Sequence, residues 1–204
     1  MKKDWTGNSK STFINIGASS HTEKERECND YYASDPIAAE WLLKIENLDN
    51  NIFEPSVGEG HLAEVFKKAG HKVFCADLID RGYPDTKVQD FLKYGKQNLK
   101  CDIVTNPPYS LAKQFILKSL DTVAEGQKVC MFLKTQFLES VKRRDELFSK
   151  YPPVRVWVSS SRIMCAKNGD FEGMKAGGGS AVSYCWYIWE KGNYTNGTQL
   201  KWFN

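Results

Sequence analysis

Four consecutive residues, Asn106, Pro107, Pro108 and Tyr109, combine an amide, two imino acids and an aromatic ring directly after a β-branched run, Ile103, Val104 and Thr105. The run reads as a buried strand. Prolines cannot donate to a sheet ladder, so the chain must leave the sheet where they begin. An amino group on an aromatic ring is a poor nucleophile, because its lone pair is shared with the ring. Two acceptors aimed at its hydrogens would hold the nitrogen and favour a pyramidal geometry. The Asn106 side-chain oxygen and the Pro107 carbonyl are two such acceptors. Tyr109 can stack on the flat ring, a contact worth about 1–3 kcal/mol. The prolines fix these groups in advance, which is where positioning catalysis gains its energy. The plainer alternative is a rigid strand exit with an exposed tyrosine.

A second constellation lies upstream, in Phe53-Glu54-Pro55-Ser56-Val57-Gly58-Glu59-Gly60. It has the form of a strand, a glycine-rich turn and the start of a helix. Gly58 and Gly60 allow backbone angles closed to other residues and let a ligand approach the main chain. Ala63 completes a G-x-G-x-x-A pattern, and Asp77 ends the following strand, where an acid can accept both hydroxyls of a ribose. Together they read as an adenosine site, against the alternative of a tight turn made only for packing. A dinucleotide needs a pyrophosphate seat at the helix N-terminus. Glu54 and Glu59 would repel a pyrophosphate but attract a sulfonium or an ammonium. The reading therefore leans toward S-adenosylmethionine.

Strands and helices alternate around these residues. Ser34-Asp35-Pro36 can start a helix that carries Ala39, Leu42 and Leu43 on one face. His61 to Ala69 reads as a helix ended by Gly70, and His71 to Leu78 as a strand. Thr86 to Gly95 holds a very short strand and a helical turn. Leu111 to Gly126 is a helix with a stripe of Leu111, Phe115, Ile116, Leu120 and Val123. Lys128 to Lys134 is a strand and Glu139 to Tyr151 a helix. Pro153 to Ser160 and Ser180 to Lys191 are strands. Such alternation implies right-handed crossovers and a mostly parallel sheet. Sheets of that kind bind ligands beyond the carboxyl ends of their strands. The last two strands have no good helix between them, so one of them should run antiparallel.

The 204 residues suit one domain, residues 31–204, behind a polar arm, residues 1–30. The glycine-rich piece at about 161–180 is a candidate target-recognition loop, with Arg162, Lys167 and Lys175, or else a plain surface loop. Hydrophobic content of 41% and a net charge of +3 are ordinary, so any basic surface must be local. No apolar run is long enough for a bilayer and no signal-peptide pattern opens the chain, which places the protein in the cytoplasm. Six cysteines lack any C-x-x-C spacing; they read as reduced core residues, and no metal site is expected.

The stretches Glu54–Gly60, Ala76–Asp80 and Asn106–Tyr109 resemble the motifs of class I S-adenosylmethionine-dependent methyltransferases of the amino-methylating group. Within that group they resemble the bacterial and phage N6-adenine DNA methyltransferases, as in a small phage-type member. Tyr31–Leu43 resembles that family's N-terminal cofactor motif, Val88–Leu92 its adenine-contacting segment, and Phe132–Ser140 with Arg143 and Arg144 the segment after its fifth strand. The resemblance implies a Rossmann-like α/β fold with a seven-stranded sheet in the order 3-2-1-4-5-7-6, the seventh strand antiparallel. It implies that Tyr32, Asp35 and Pro36 flank the methionine end of the cofactor. Glu54, Pro55, Gly58 and Gly60 would line the cofactor, Asp77 and Leu78 the ribose side, and Asp90 and Phe91 the adenine. Asn106, Pro107, Pro108 and Tyr109 would hold a target adenine in DNA. The same motif also serves RNA methyltransferases acting on adenine N6 or guanine N2, and enzymes that methylate a glutamine in protein. A non-catalytic nucleic-acid-binding module and a nicotinamide enzyme are further alternatives.

Overall fold

The computed structural model describes residues 31–167, 169–176, 182–195 and 197–204. The arm expected at residues 1–30 lies outside the described residues.

Among the described residues, ten strands and five helices alternate much as the sequence implies. β1 (Tyr32–Ser34) leads into α1 (Ile37–Ile45), with Pro36 already helical at its start and Asp35 Oδ1 accepting from the Ile37 N–H at 3.0 Å. β2 (Asn51–Glu54) is followed by α2 (His61–Lys68), β3 (Lys72–Asp77) and the two-residue β4 (Lys87–Val88). β5 (Asp102–Thr105), α3 (Ala112–Thr122) and β6 (Lys128–Lys134) come next. The expected helix after β6 is a single turn, α4 (Val141–Arg143), running on as a π-turn, Arg144–Phe148. β7 (Arg155–Ser159), β8 (Cys165–Lys167), α5 (Phe171–Ala176), β9 (Tyr184–Glu190) and β10 (Gln199–Phe203) complete the chain.

The main sheet has eight strands in the order β10-β7-β9-β6-β5-β2-β3-β4. Only β9 opposes its neighbours, pairing antiparallel with both β6 and β7; the other pairings in the sheet are parallel. Read from the β4 edge, its first seven members, β4-β3-β2-β5-β6-β9-β7, follow the expected 3-2-1-4-5-7-6 arrangement. β10 adds an edge strand that the sequence pattern did not announce. Its Leu200 and Trp202 point outward, 52% and 62% exposed, so it lacks the apolar run of a buried strand.

Period-two alternation splits the side chains between two cores. Phe53, Ile103, Val129, Met131 and Leu133 pack with Phe115, Ile116 and Leu120 of α3. Ile52, Val104, Cys130 and Phe132 pack with Leu42 of α1 and Leu62 and Phe66 of α2. α2 and α3 therefore cover opposite faces, and the crossover direction reverses between β2 and β5. A cleft opens at that reversal, beyond the carboxyl ends of the strands. The opposite end of the sheet is closed by Glu46, which takes Arg155 Nε at 2.5 Å and Arg155 Nη2 at 2.8 Å, with Trp157 Nε1 at 2.9 Å. Cys75, Cys101, Cys130, Cys165 and Cys185 are free and buried; Cys28 lies outside the described residues.

A small antiparallel ribbon, β1 with β8, was also unannounced. It pairs Tyr32 with Lys167, Ala33 with Ala166 and Ser34 with Cys165. It ties the start of the domain to the 161–180 insertion. The side chains of Lys167 and Lys175 lie outside the described residues.

Candidate active site

The glycine turn between β2 and α2 is held open by its neighbours. Gly58 has φ +58° and Gly60 φ +84°, angles that disfavour any side chain. A Cβ on Gly58 would lie 2.6 Å from the Tyr31 ring, and one on Gly60 2.1 Å from the Tyr83 ring. Each glycine therefore makes room for a tyrosine, and neither is part of the cleft wall. Asp77 fixes the turn from the next strand: Oδ2 accepts from the Gly58 N–H at 2.8 Å and Oδ1 from the Ile79 N–H at 3.1 Å.

The cleft encloses about 300 Å³. Its wall contains Tyr32, Glu54, Pro55, Asp77, Leu78, Asp90 and Phe91, and also Asn106, Pro107, Pro108 and Tyr109. Eleven of the fifteen residues singled out in the sequence thus meet in one cavity. The four left out are Asp35, Pro36, Gly58 and Gly60. Asp35 and Pro36 start α1, and Asp35 N–H also donates to the Met164 carbonyl at 3.0 Å. Asp90 caps a 3₁₀ turn, accepting from the Leu92 N–H at 3.0 Å, and Phe91 forms the apolar floor against Phe53 and Phe115. Tyr31, Ser56, His61 and Arg81 also line the cavity and were missed. Arg81 sits in a turn-rich stretch without periodicity, where no pattern marks one residue over another.

Three polar atoms in this wall are buried and lack a partner: Glu54 Oε2, Arg81 Nε and Asn106 Oδ1. Buried polar groups are nearly always paired, so such atoms in a cavity point to a ligand that pairs with them. Glu54 is 2% exposed. Burial, and then the nearby Asp77 charge, push its carboxyl well above the usual range, although it accepts from the Ala63 N–H. Asn106 is oriented from the other side. Its Nδ2 donates to the Tyr32 carbonyl at 2.9 Å, which leaves Oδ1 as the acceptor not yet used. Ser56 Oγ, 2.6 Å from Thr105 Oγ1, also donates to the Asn106 carbonyl at 3.3 Å, tying the proline corner to the glycine turn.

Tyr109 is more crowded than the sequence suggests. Its ring stacks on Tyr32 with centroids 5.3 Å apart, and Lys134 Nζ stands 4.5 Å from its centre. The two cannot share a face, so a flat substrate ring reaches Tyr109 only after one of them withdraws. The Tyr109 hydroxyl donates to that of Tyr184 at 3.1 Å, and burial pushes its pKa well above the ordinary value. Tyr109 also lines a second cavity of about 180 Å³ with Lys134, Phe137 and Arg143. Among the described residues, no group of three His, Cys, Asp or Glu side chains is placed to hold a metal, and no helix is long and apolar enough to cross a membrane.

Neither a family model nor a curated protein matches the sequence. Solved structures do match. A candidate RNA methyltransferase from Pyrococcus horikoshii aligns with a TM-score of 0.56 at 12% identity, over 90% of this chain and 99% of its own. A class I S-adenosylmethionine-dependent methyltransferase candidate from Listeria monocytogenes gives 0.55 at 14% identity, over 95% and 71%. A modification subunit assigned to a type I restriction enzyme of Vibrio vulnificus gives 0.51 at 11% identity, over 93% of this chain and 49% of its own. The fold is that of the class I methyltransferases. At these identities the likeness speaks of fold, and the chemistry rests on the side chains of the cleft.

Proposed function

We propose that the protein transfers a methyl group from S-adenosylmethionine to the N6 amino group of adenine in DNA. One observation carries this reading: the Asn106 amide is locked by its bond to Tyr32, with Oδ1 buried and uncommitted beside the cavity. A lone acceptor held in that way suits a donor N–H that arrives with the substrate. The cavity also suits the cofactor. Asp77 and Leu78 stand at the end of β3 for a ribose, Phe91 offers an apolar floor for an adenine, and Glu54 Oε2 seeks a donor or a cation.

When bound, S-adenosylmethionine supplies an electrophilic methyl group whose sulfur departs as a thioether. Asn106 Oδ1 and the Pro107 carbonyl accept the two amino hydrogens of the target and hold its nitrogen in line with that methyl. This draws the lone pair out of conjugation with the ring. Tyr109 stacks on the ring and sets its angle, once Lys134 or Tyr32 has moved aside. The second cavity behind Tyr109 gives an extruded base room to enter; extrusion costs a few kcal/mol. No strong base is needed, because the proton leaves after the methyl has arrived.

The modification-subunit fold neighbour and the motif resemblance favour DNA. The archaeal neighbour's assignment keeps an RNA base as the second reading. Incubation with labelled S-adenosylmethionine and duplex DNA, ribosomal RNA or protein extract separates them. Label in the DNA alone is the expected result. Label only in RNA, or only in protein, would replace the substrate while leaving the methyl transfer intact.

A further inference from the structure

Arg81 stands in the cleft wall as a cation whose position is fixed but whose Nε has no acceptor. Its guanidinium lies over the Tyr31 ring, 3.9 Å from the centroid. Tyr31 is itself set in place. Its ring presses against Gly58, and its hydroxyl accepts from the Glu59 N–H at 3.3 Å. Burial, with the Glu59 charge, pushes the Tyr31 hydroxyl up to about 12, so it stays neutral. The carboxylates before Arg81 in the loop are turned to the backbone: Asp80 Oδ1 accepts from the Gly82 N–H at 2.8 Å, and the two Asp77 oxygens accept from the Gly58 and Ile79 N–H groups. A guanidinium N–H withdrawn from water without an acceptor is costly, and its planar fork suits a carboxylate better than a hydroxyl.

We propose that Arg81, held flat on Tyr31, receives the carboxylate of the amino-acid end of the ligand bound in this cleft. The inference rests on the cofactor reading above. The same cleft then offers a partner to each end of a zwitterion, with the Arg81 guanidinium for the carboxylate and the Glu54 carboxyl oxygen for the cationic part. Both groups line one cavity and both have an unpaired buried atom. Arg81 is thereby a binding residue that selects for an intact amino-acid end, and it takes no part in methyl transfer itself.

The test is calorimetric titration with S-adenosylmethionine and with its decarboxylated form, which differ only in the carboxylate. The unaltered protein should bind the carboxylate form at least about tenfold tighter, the size expected for a hydrogen bond to a charged group. Arg81→Met should remove that preference by weakening S-adenosylmethionine alone, with decarboxylated S-adenosylmethionine bound as before. Arg81→Lys, which keeps the charge and loses the fork, should retain part of the preference and guards against a folding defect in the first variant. Equal weakening of both ligands by Arg81→Met, or an undiminished preference in that variant, would overturn the role of Arg81 and leave the cofactor reading standing. Failure of the unaltered protein to bind either compound would overturn the cofactor reading, and this inference with it.

Discussion

Asn106 Nδ2 lies 2.9 Å from the Tyr32 carbonyl oxygen and donates to it across 74 positions of chain. The bond decides which end of the amide is spent. Nδ2 is used within the protein, and Oδ1 stays buried without a partner. Tyr32 belongs to the β1–β8 ribbon, so the orientation of the Asn106 amide depends on a contact between the domain start and the 161–180 insertion.

Asn106→Ala removes an acceptor that engages the substrate amino group and not the cofactor. Turnover should fall by about 10²–10³, the usual loss for one preorganised hydrogen-bonding group. The dissociation constant for S-adenosylhomocysteine should stay unchanged. Steady-state kinetics beside calorimetry checks this; equal losses in both would undo the assignment.

Asp77→Ala should act in the opposite sense. The change strips a ribose acceptor and also frees the Gly58 and Ile79 N–H groups. Cofactor affinity should drop by about tenfold or more, since hydrogen bonds to a charged group are worth about 1.5–3 kcal/mol. Thermal unfolding should come earlier as well. An unaltered affinity would remove Asp77 from the cofactor site.

Glu54→Gln separates stability from binding. Unfolded, the carboxyl ionises near its ordinary value of 4.5; folded, burial and then Asp77 hold it well above that. The free protein therefore loses stability through Glu54 as pH rises from about 4.5 through the folded value. Each tenfold difference in acidity between the two states is worth about 1.4 kcal/mol. Glu54→Gln should accordingly melt higher than the unaltered protein at pH 8, by at least about 2–4 °C for each kcal/mol gained. The advantage should vanish near pH 4, and S-adenosylmethionine should bind the variant more weakly. Melting curves across that range, in the absence of cofactor, report the first effect directly. A variant that melts lower at pH 8 would mean Glu54 is ionised and already paired.

Much of the molecule was legible from pattern. The unbroken apolar run Val129–Leu133 marked a strand buried on both faces, the stripe on α3 marked the face it packs with, and the sheet order came with the motif resemblance. The glycine turn and the proline corner were legible because few residues tolerate their backbones. What escaped depended on long-range pairing. β1 and β8 contribute three residues each and meet across 131 positions, as at Ser34 and Cys165. β10 exposes Leu200 and Trp202 and has no periodic signature. Arg81 and Tyr31 matter through one ring contact, which neither shows alone. The sequence marks the backbone freedom of Gly58 and Gly60 but not the tyrosines, Tyr31 and Tyr83, that the fold seats against them.

The central claim is that the Asn106–Tyr109 corner presents a planar amino group to a methyl donor. Its most direct test is digestion of duplex DNA, after incubation with labelled S-adenosylmethionine, to nucleosides resolved by chromatography. The label should run with N6-methyl-2′-deoxyadenosine and be lost with Asn106→Ala. Label on a ring carbon, as in 5-methylcytosine, or label undiminished by Asn106→Ala, would contradict the claim.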